Sequence, residues 1–279
     1  MRDDLECQLF TDPARFHERI SIRFGLTSWP QLILVDPVTL KVSQHAGRTV
    51  ASFKQAFPKA QLAAKPAGIA KLNAVMRLAQ AEATAIGLER GATAEAAGEK
   101  LLDEDIVVRT RALEILAEHE PKAIAKEART LLGTPNDPFR YLVCKVLTRH
   151  PDAKANDALE DLVRKPSPSM NPNVLRMRAV QALGASGDAG SVAAIGPHAI
   201  SGAYFNGLTG IAVDALAAIG RRDAEATAAV RALLLKAYPA PPDDGNERKL
   251  RACTALAKRV HKALGSSLPF PKTYDAKAR

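Results

Sequence analysis

The sequence predicts a mainly α protein, an α-solenoid of helical hairpins with a small α/β segment at its N-terminus. Three observations predict it. Hydrophobic residues make up 47% of the chain but aromatics only 5%, and much of the apolar content is alanine, which has the best helix propensity and lets helices approach closely. From about residue 69 onward helical periods follow one another, punctuated by Gly, Pro and Asp, with no convincing strand. Within that region four segments repeat: "RALEILAEHEP" at 111–121, "LVCKVLTRHPD" at 142–152, "RAVQALGASGD" at 178–188 and "VDALAAIGRRD" at 213–223. Their anchors Leu116, Leu147, Leu183 and Ile219 are separated by 31, 36 and 36 residues, a period expected of stacked helical hairpins.

The first elements alternate between strand and helix. "LECQLF" (5–10) reads as a short strand. "DPARFHERISIRFG" (12–25) reads as a helix, with Thr11 or Asp12 as N-cap, Pro13 in the first turn and Gly25 just past its end. "QLILVD" (31–36) is a short run of branched apolar residues, hence a buried strand. "PVTL" turns the chain, and "KVSQHAG" (41–47) alternates as a hairpin partner should. "TVASFKQAF" (49–57) reads as a helix capped by Thr49. Residues 58–68, with Pro58 and Pro66 and little pattern, form a linker. Connecting helices fill 69–100, the repeats 101–265, and a tail 266–279. The extra length before the third repeat is the loop "KPSPSMNP" (165–172).

Each repeat needs its neighbour. In the fourth, Leu208, Ile211, Ala212, Ala215, Leu216 and Ile219 form a stripe at i, i+3, i+4, i+7, i+8 and i+11. One hairpin cannot cover such a stripe, whereas a stack can, if its ends carry polar caps. The last helix, "ERKLRACTALAKRVHKALG" (247–265), has that form. Leu250, Cys253, Ala257, Val260 and Leu264 share one stripe, and Arg251, Lys258, Arg259 and Lys262 lie opposite. The net charge is +9, and most of it belongs to this end. From Asn246 onward nine basic residues stand against Glu247 and Asp275. The basic face is the outer side of a cap, or a surface for nucleic acid, anionic lipid or an acidic protein. The scarcity of aromatic platforms argues against single-strand stacking.

Other chemistry is hard to find. Cys7, Cys144 and Cys253 lie far apart, with no CxxC and no zinc spacing. His17, His45, His119, His150, His198 and His261 show no metal spacing either. His119 and His150 recur near helix ends, where they interact favourably with the dipole, and Asp103/Asp105 and Asp243/Asp244 stand near helix starts for the converse reason. Phosphate loops, GxSxG elbows and HExxH motifs are missing. No cofactor and no metal site is expected. The N-terminus lacks an apolar signal region and no run is long enough to span a membrane, so a cytoplasmic setting is the default expectation.

Two resemblances carry further expectations. The repeats, in "ALGASGDAGSVAAI" (182–195) and "DALAAIGRRDAEATAAV" (214–230), resemble HEAT-type repeats, particularly the short bacterial kind. In both, helix A ends at a Leu-Gly or Ile-Gly pair and an Asp starts helix B. That resemblance implies a right-handed solenoid that binds another protein or macromolecule and is not an enzyme. The stretch "RFGLTSWPQLILVDPVTLKVSQHAGR" (23–48) resembles the second half of a thioredoxin fold. It implies a cis bond between Trp29 and Pro30, and Thr27, Ser28, Trp29 and Pro30 as a loop contacting an extended peptide. Trp29 alternatively plugs the exposed half-fold. The leading strands and CxxC helix of that fold are absent, so thiol chemistry has no nucleophile here, and the sheet edge is left open. Three explanations follow: a fragment of a longer protein, a half-domain repacked on the helices, or pairing with another chain.

Overall fold

The computed structural model describes residues 22–23, 32–35, 42–47, 68–89, 93–165, 172–201, 207–242, 246–265, 270–271 and 274. The strand read at 5–10, the loop Thr27, Ser28, Trp29 and Pro30 with its cis bond, the helix capped by Thr49, most of the linker and Asp243/Asp244 lie outside the described residues. The chain divides into two compact units, 1–112 and 113–279.

In the first unit, β1 (Leu32–Val35) and β2 (Val42–Gly47) form the hairpin expected from "QLILVD" and "KVSQHAG". They pair antiparallel, with Leu32 opposite Gly47 and Val35 opposite Val42, and the register slips at both ends of the pairing. Ile22 and Arg23 are helical, inside the helix read over 12–25. Helix α1 (Gly68–Glu89) buries Ala81, Ala85 and Leu88, spaced i, i+4, i+7 on one face. Helix α2 (Ala94–Lys100) is capped by Thr93, whose hydroxyl accepts from Ala96 N at 3.2 Å.

Helix α3 (Ile106–His119) starts at Asp105. Its Oδ1 accepts from Val107 N at 2.8 Å and Val108 N at 3.4 Å, filling the orphan donors of the first turn. The same carboxylate receives both terminal nitrogens of Arg23, at 2.8 and 3.5 Å. Asp103 braces the corner, its carboxylate accepting from Asp105 N at 3.0 Å and its carbonyl from Arg109. Ile22, beside Arg23, is buried.

The second unit contains α4 (Pro121–Lys126), α5 (Ala128–Gly133), α6 (Asp137–Arg149), a 3-10 turn (Ala153–Ala155), α7 (Asn156–Arg164), α8 (Pro172–Ser186), α9 (Ala189–Ala199), α10 (Gly207–Arg222), α11 (Thr227–Lys236) and α12 (Glu247–Ala263). All described elements from residue 68 onward are helical. They pack in two rows. Helices α6, α8, α10 and α12 follow one another in the first, and α5, α7, α9 and α11 in the second. Each helix touches the one two places on, which is stacking of hairpins. The anchors hold the register: Leu116, Leu147, Leu183 and Ile219 are all at most 1% exposed.

Local chemistry sets the ends. Asn136 caps α6, accepting from Phe139 N at 2.9 Å, with Pro138 in the first turn where it costs no hydrogen bond. Asp188 caps α9 through Gly190 N and Ser191 N. Asn246 caps α12, and Gly265, at φ 58, ends it in the left-handed region.

Three expectations need correction. Helix α10 buries more than one stripe, adding Thr209, Gly210, Val213 and Ala217, because α8 and α12 flank it on both sides while α9 and α11 lie beneath. The Leu-Gly and Ile-Gly pairs do not end the first helices, which run two residues further. A Cβ on Gly184 would lie 3.0 Å from Ala215, and one on Gly220 2.9 Å from Val230. These glycines are therefore close-approach points between helices. Finally, the second helix of the first hairpin is broken at Glu127 into α4 and α5.

Candidate functional site

Helix α12 closes the first row and carries the basic residues singled out from the sequence. Cys253, Leu256, Ala257 and Val260 are buried, while Arg251, Lys258, Arg259 and Lys262 are exposed. The amphipathic split is therefore as read. One side of α12 is buried and its exposed side is cationic. The four cations are not equivalent. Arg251 reaches back one turn to Glu247 at 2.9 Å, both side chains open to solvent. Arg259 leans over the neighbouring helix, its Nε 3.5 Å from Asp214 Oδ1. A Cβ on Gly210 would collide with its Nη1, so the missing side chain makes room for the guanidinium. Lys258 and Lys262 have no carboxylate partner among the described residues.

The inner side of α12 is secured by something the sequence did not disclose. Phe270 and Tyr274, assigned to a plain tail, fold back onto Cys253 and Ala257 together with Tyr238. Tyr274 Oη donates to Pro239 O at 2.7 Å, and Thr254 Oγ1 donates to Tyr274 O at 3.4 Å. The Tyr238 and His261 rings meet through Oη and Nδ1 at 3.0 Å, and Phe270 stands edge-on to His261. Burial raises both tyrosine pKa values, so the hydroxyls stay protonated. The signal was present as Phe270 and Tyr274, two aromatics within the last ten residues of an aromatic-poor chain. Cys253 donates to Ala240 O at 3.5 Å and is, as expected, a core thiol. The Cys144 thiol is likewise buried, and desolvation pushes its pKa up to about 12.

Other polar groups bind hairpin to hairpin. Buried Asn156 donates from Nδ2 to Ser186 O at 3.2 Å and accepts from Ser186 Oγ at 2.7 Å, joining α7 to α8. Ser191 Oγ donates to Glu160 Oε1 at 2.9 Å, joining α9 to α7. Asp223 accepts from Ala189 N at 2.9 Å, and Arg222 donates to the carbonyls of Gly184 and Gly187. His119 and His150 stand exposed at the C-terminal ends of α3 and α6, the dipole-compatible placement. Burial and the Arg176 guanidinium hold the His198 imidazole below its ordinary value. Among the described residues no group of acidic, His or Cys side chains is arranged to hold a metal. No described helix is long and apolar enough to cross a membrane.

Two rows of helices in a repeating register, buried against their neighbours, define an α-solenoid. Residues 94–171 match a family model described as HEAT repeats. The match spans α2 to α7, and the buried anchors Leu183 and Ile219 carry the same register onward. HEAT repeats generally mediate protein–protein interaction. Neither a curated protein nor a solved structure matches the chain. The thioredoxin resemblance draws no support from these comparisons.

Proposed function

We propose that this chain is a non-enzymatic scaffold whose helical stack binds another protein. The observation that carries the reading is the two-row packing of α5 to α12, which uses the inner faces for stability and leaves the outer faces available. The buried polar contacts between hairpins serve registry, and the ionisable groups are spread along the surface. Affinity isolation of the full chain from its native host, after cross-linking, tests it. A captured species that resists nuclease and is destroyed by protease is the expected result. Capture that is lost on nuclease treatment would replace the scaffold with a nucleic-acid binder. Turnover of a substrate by the purified chain would refute the non-enzymatic part.

A second reading rests on the N-terminal segment. The antiparallel pairing of β1 and β2 and the helical Ile22–Arg23 suit the second half of a thioredoxin-like fold, with Thr27, Ser28, Trp29 and Pro30 as its peptide-binding loop. In that reading the catalytic dithiol is encoded upstream. An in-frame CxxC segment in the DNA before Met1 would support it, and a nearby stop codon would end it.

A further inference from the structure

The two rows of the second unit differ in charge. In the second row, the cations of α5 and α7 are matched by acids on the same or the next helix, whereas Arg231 and Lys236 on α11 are exposed with no carboxylate partner among the described residues. Arg129 on α5 lies 3.7 Å from Asp157 on α7, Arg164 lies 2.7 Å from Glu160, and Lys165 lies 3.8 Å from Asp161. Helix α9 carries no acidic or basic residue apart from His198.

The first row is different. Measured from the buried anchors, the outward stripe of α6 carries Lys145 and Arg149, both exposed. On α8 the equivalent stripe carries half-buried Arg178, Gln181 and Ala185, and on α10 exposed Asp214 and Arg221 on either side of buried Ala217. Helix α12 completes the face with Lys258 and Lys262. Lys145, Arg149, Arg221, Lys258 and Lys262 have no carboxylate partner among the described residues. Arg178 is held in place. Its guanidinium lies 4.7 Å from the Tyr141 ring centroid on α6, and Nη1 donates to Gln181 Oε1 at 2.8 Å. An ordered guanidinium loses less entropy when it meets a carboxylate. Asp214 is the acid within the face, and Arg259 already partly neutralises it.

The face is not purely cationic. Val174, 37% exposed, and half-buried Leu142 and Ala185 lie among the basic positions. Apolar spots between cations suit side chains spaced along a helix. A phosphate backbone would offer them nothing and would meet Asp214 as a like charge.

We infer that the outward face of α6, α8, α10 and α12 is the docking surface, and that its partner is an acidic amphipathic protein segment. The inference rests on the scaffold reading and adds the face and the partner's chemistry. The test uses the full chain and a fluorescent helical peptide with Glu along one face and Leu on the flank. Anisotropy is measured against duplex DNA and anionic phospholipid vesicles of matched charge. Binding of the peptide should weaken at least tenfold in the double variant Lys145→Glu/Lys258→Glu. It should weaken less than twofold in Arg129→Glu/Lys165→Glu on the other row. Raising salt from low to high should weaken it further, since surface charges are screened. All four side chains are exposed, and unchanged circular dichroism melts confirm that the variants fold. Equal loss in both variants would overturn the inference, as would tighter binding of DNA or vesicles than of peptide at physiological salt. If peptide binding is absent while cross-linking still captures a protein, the face is wrong and the scaffold reading stands.

Discussion

Replacing Leu183 with Ala probes the stack at its centre. Leu183 lies in α8, which packs against α6 and α10 within its row and against α7 across it, and its side chain is 0% exposed. The substitution removes three buried carbon groups at about 0.8 kcal/mol each, or roughly 2.4 kcal/mol of transfer energy. A neighbouring close approach, where a Cβ added to Gly184 would lie only 3.0 Å from Ala215, keeps α8 and α10 from closing further. The cavity therefore stays open, and the total should fall at about 3–4 kcal/mol, within the range known for buried Leu→Ala changes. Because hairpins stabilise one another only through nearest neighbours, the loss should spread to α6 and α10 together. Urea unfolding followed by circular dichroism gives the magnitude, and amide exchange gives its spread. Leu147→Ala, at the equivalent position one repeat earlier, should cost a similar amount. A loss below about 1 kcal/mol, or one confined to α8, would refute the repeat packing.

Other expected outcomes follow from single contacts. Asp105→Ala removes both the cap of α3 and the partner of Arg23 and should lower protection of the Val107 and Val108 amides by about 1–2 kcal/mol. Asp105→Asn, which keeps a capping oxygen, should recover most of it, and equal losses would discount the cap. Cys144 should resist alkylation in the native protein at pH 8 and react only on unfolding. Its folded pKa, about 12, exceeds the free value of 9.0, so its neutral form stabilises the fold below pH 9 and that contribution is lost as pH rises towards 12. The stability gap between wild type and Cys144→Ala should therefore narrow above pH 9, and a constant gap would count against this. Tyr274→Phe removes the hydrogen bond to Pro239 O and should cost about 1 kcal/mol, whereas Tyr274→Ala should also expose Cys253 to thiol reagents. Unaltered reactivity would show that the tail does not cover it.

Much of the fold was legible because the repeat encodes it locally. Leu116, Leu147, Leu183 and Ile219 stood in register and all are buried. Thr93, Asp105, Asn136, Asp188 and Asn246 are capping residues that act within three positions of themselves, so their role can be read from the chain. The antiparallel pairing of β1 and β2 was legible because the two strands lie close together in the sequence. The split of the first hairpin's second helix at Glu127 was not, because nothing in "AIAKEARTLL" breaks helical propensity.

The sequence by itself determined that helices alternate with short turns at a fixed period, that α12 is cationic outside and apolar inside, and where most helices start. These depend on neighbours at i+3 and i+4. Tertiary structure decided which side chains meet. It laid Arg259 over Gly210 beside Asp214, set Arg178 on Tyr141, turned Gly184 and Gly220 into contact points, and folded Phe270 and Tyr274 back on Cys253. Such contacts join residues about 10 to 50 positions apart, and only the packing of helix on helix brings them within reach.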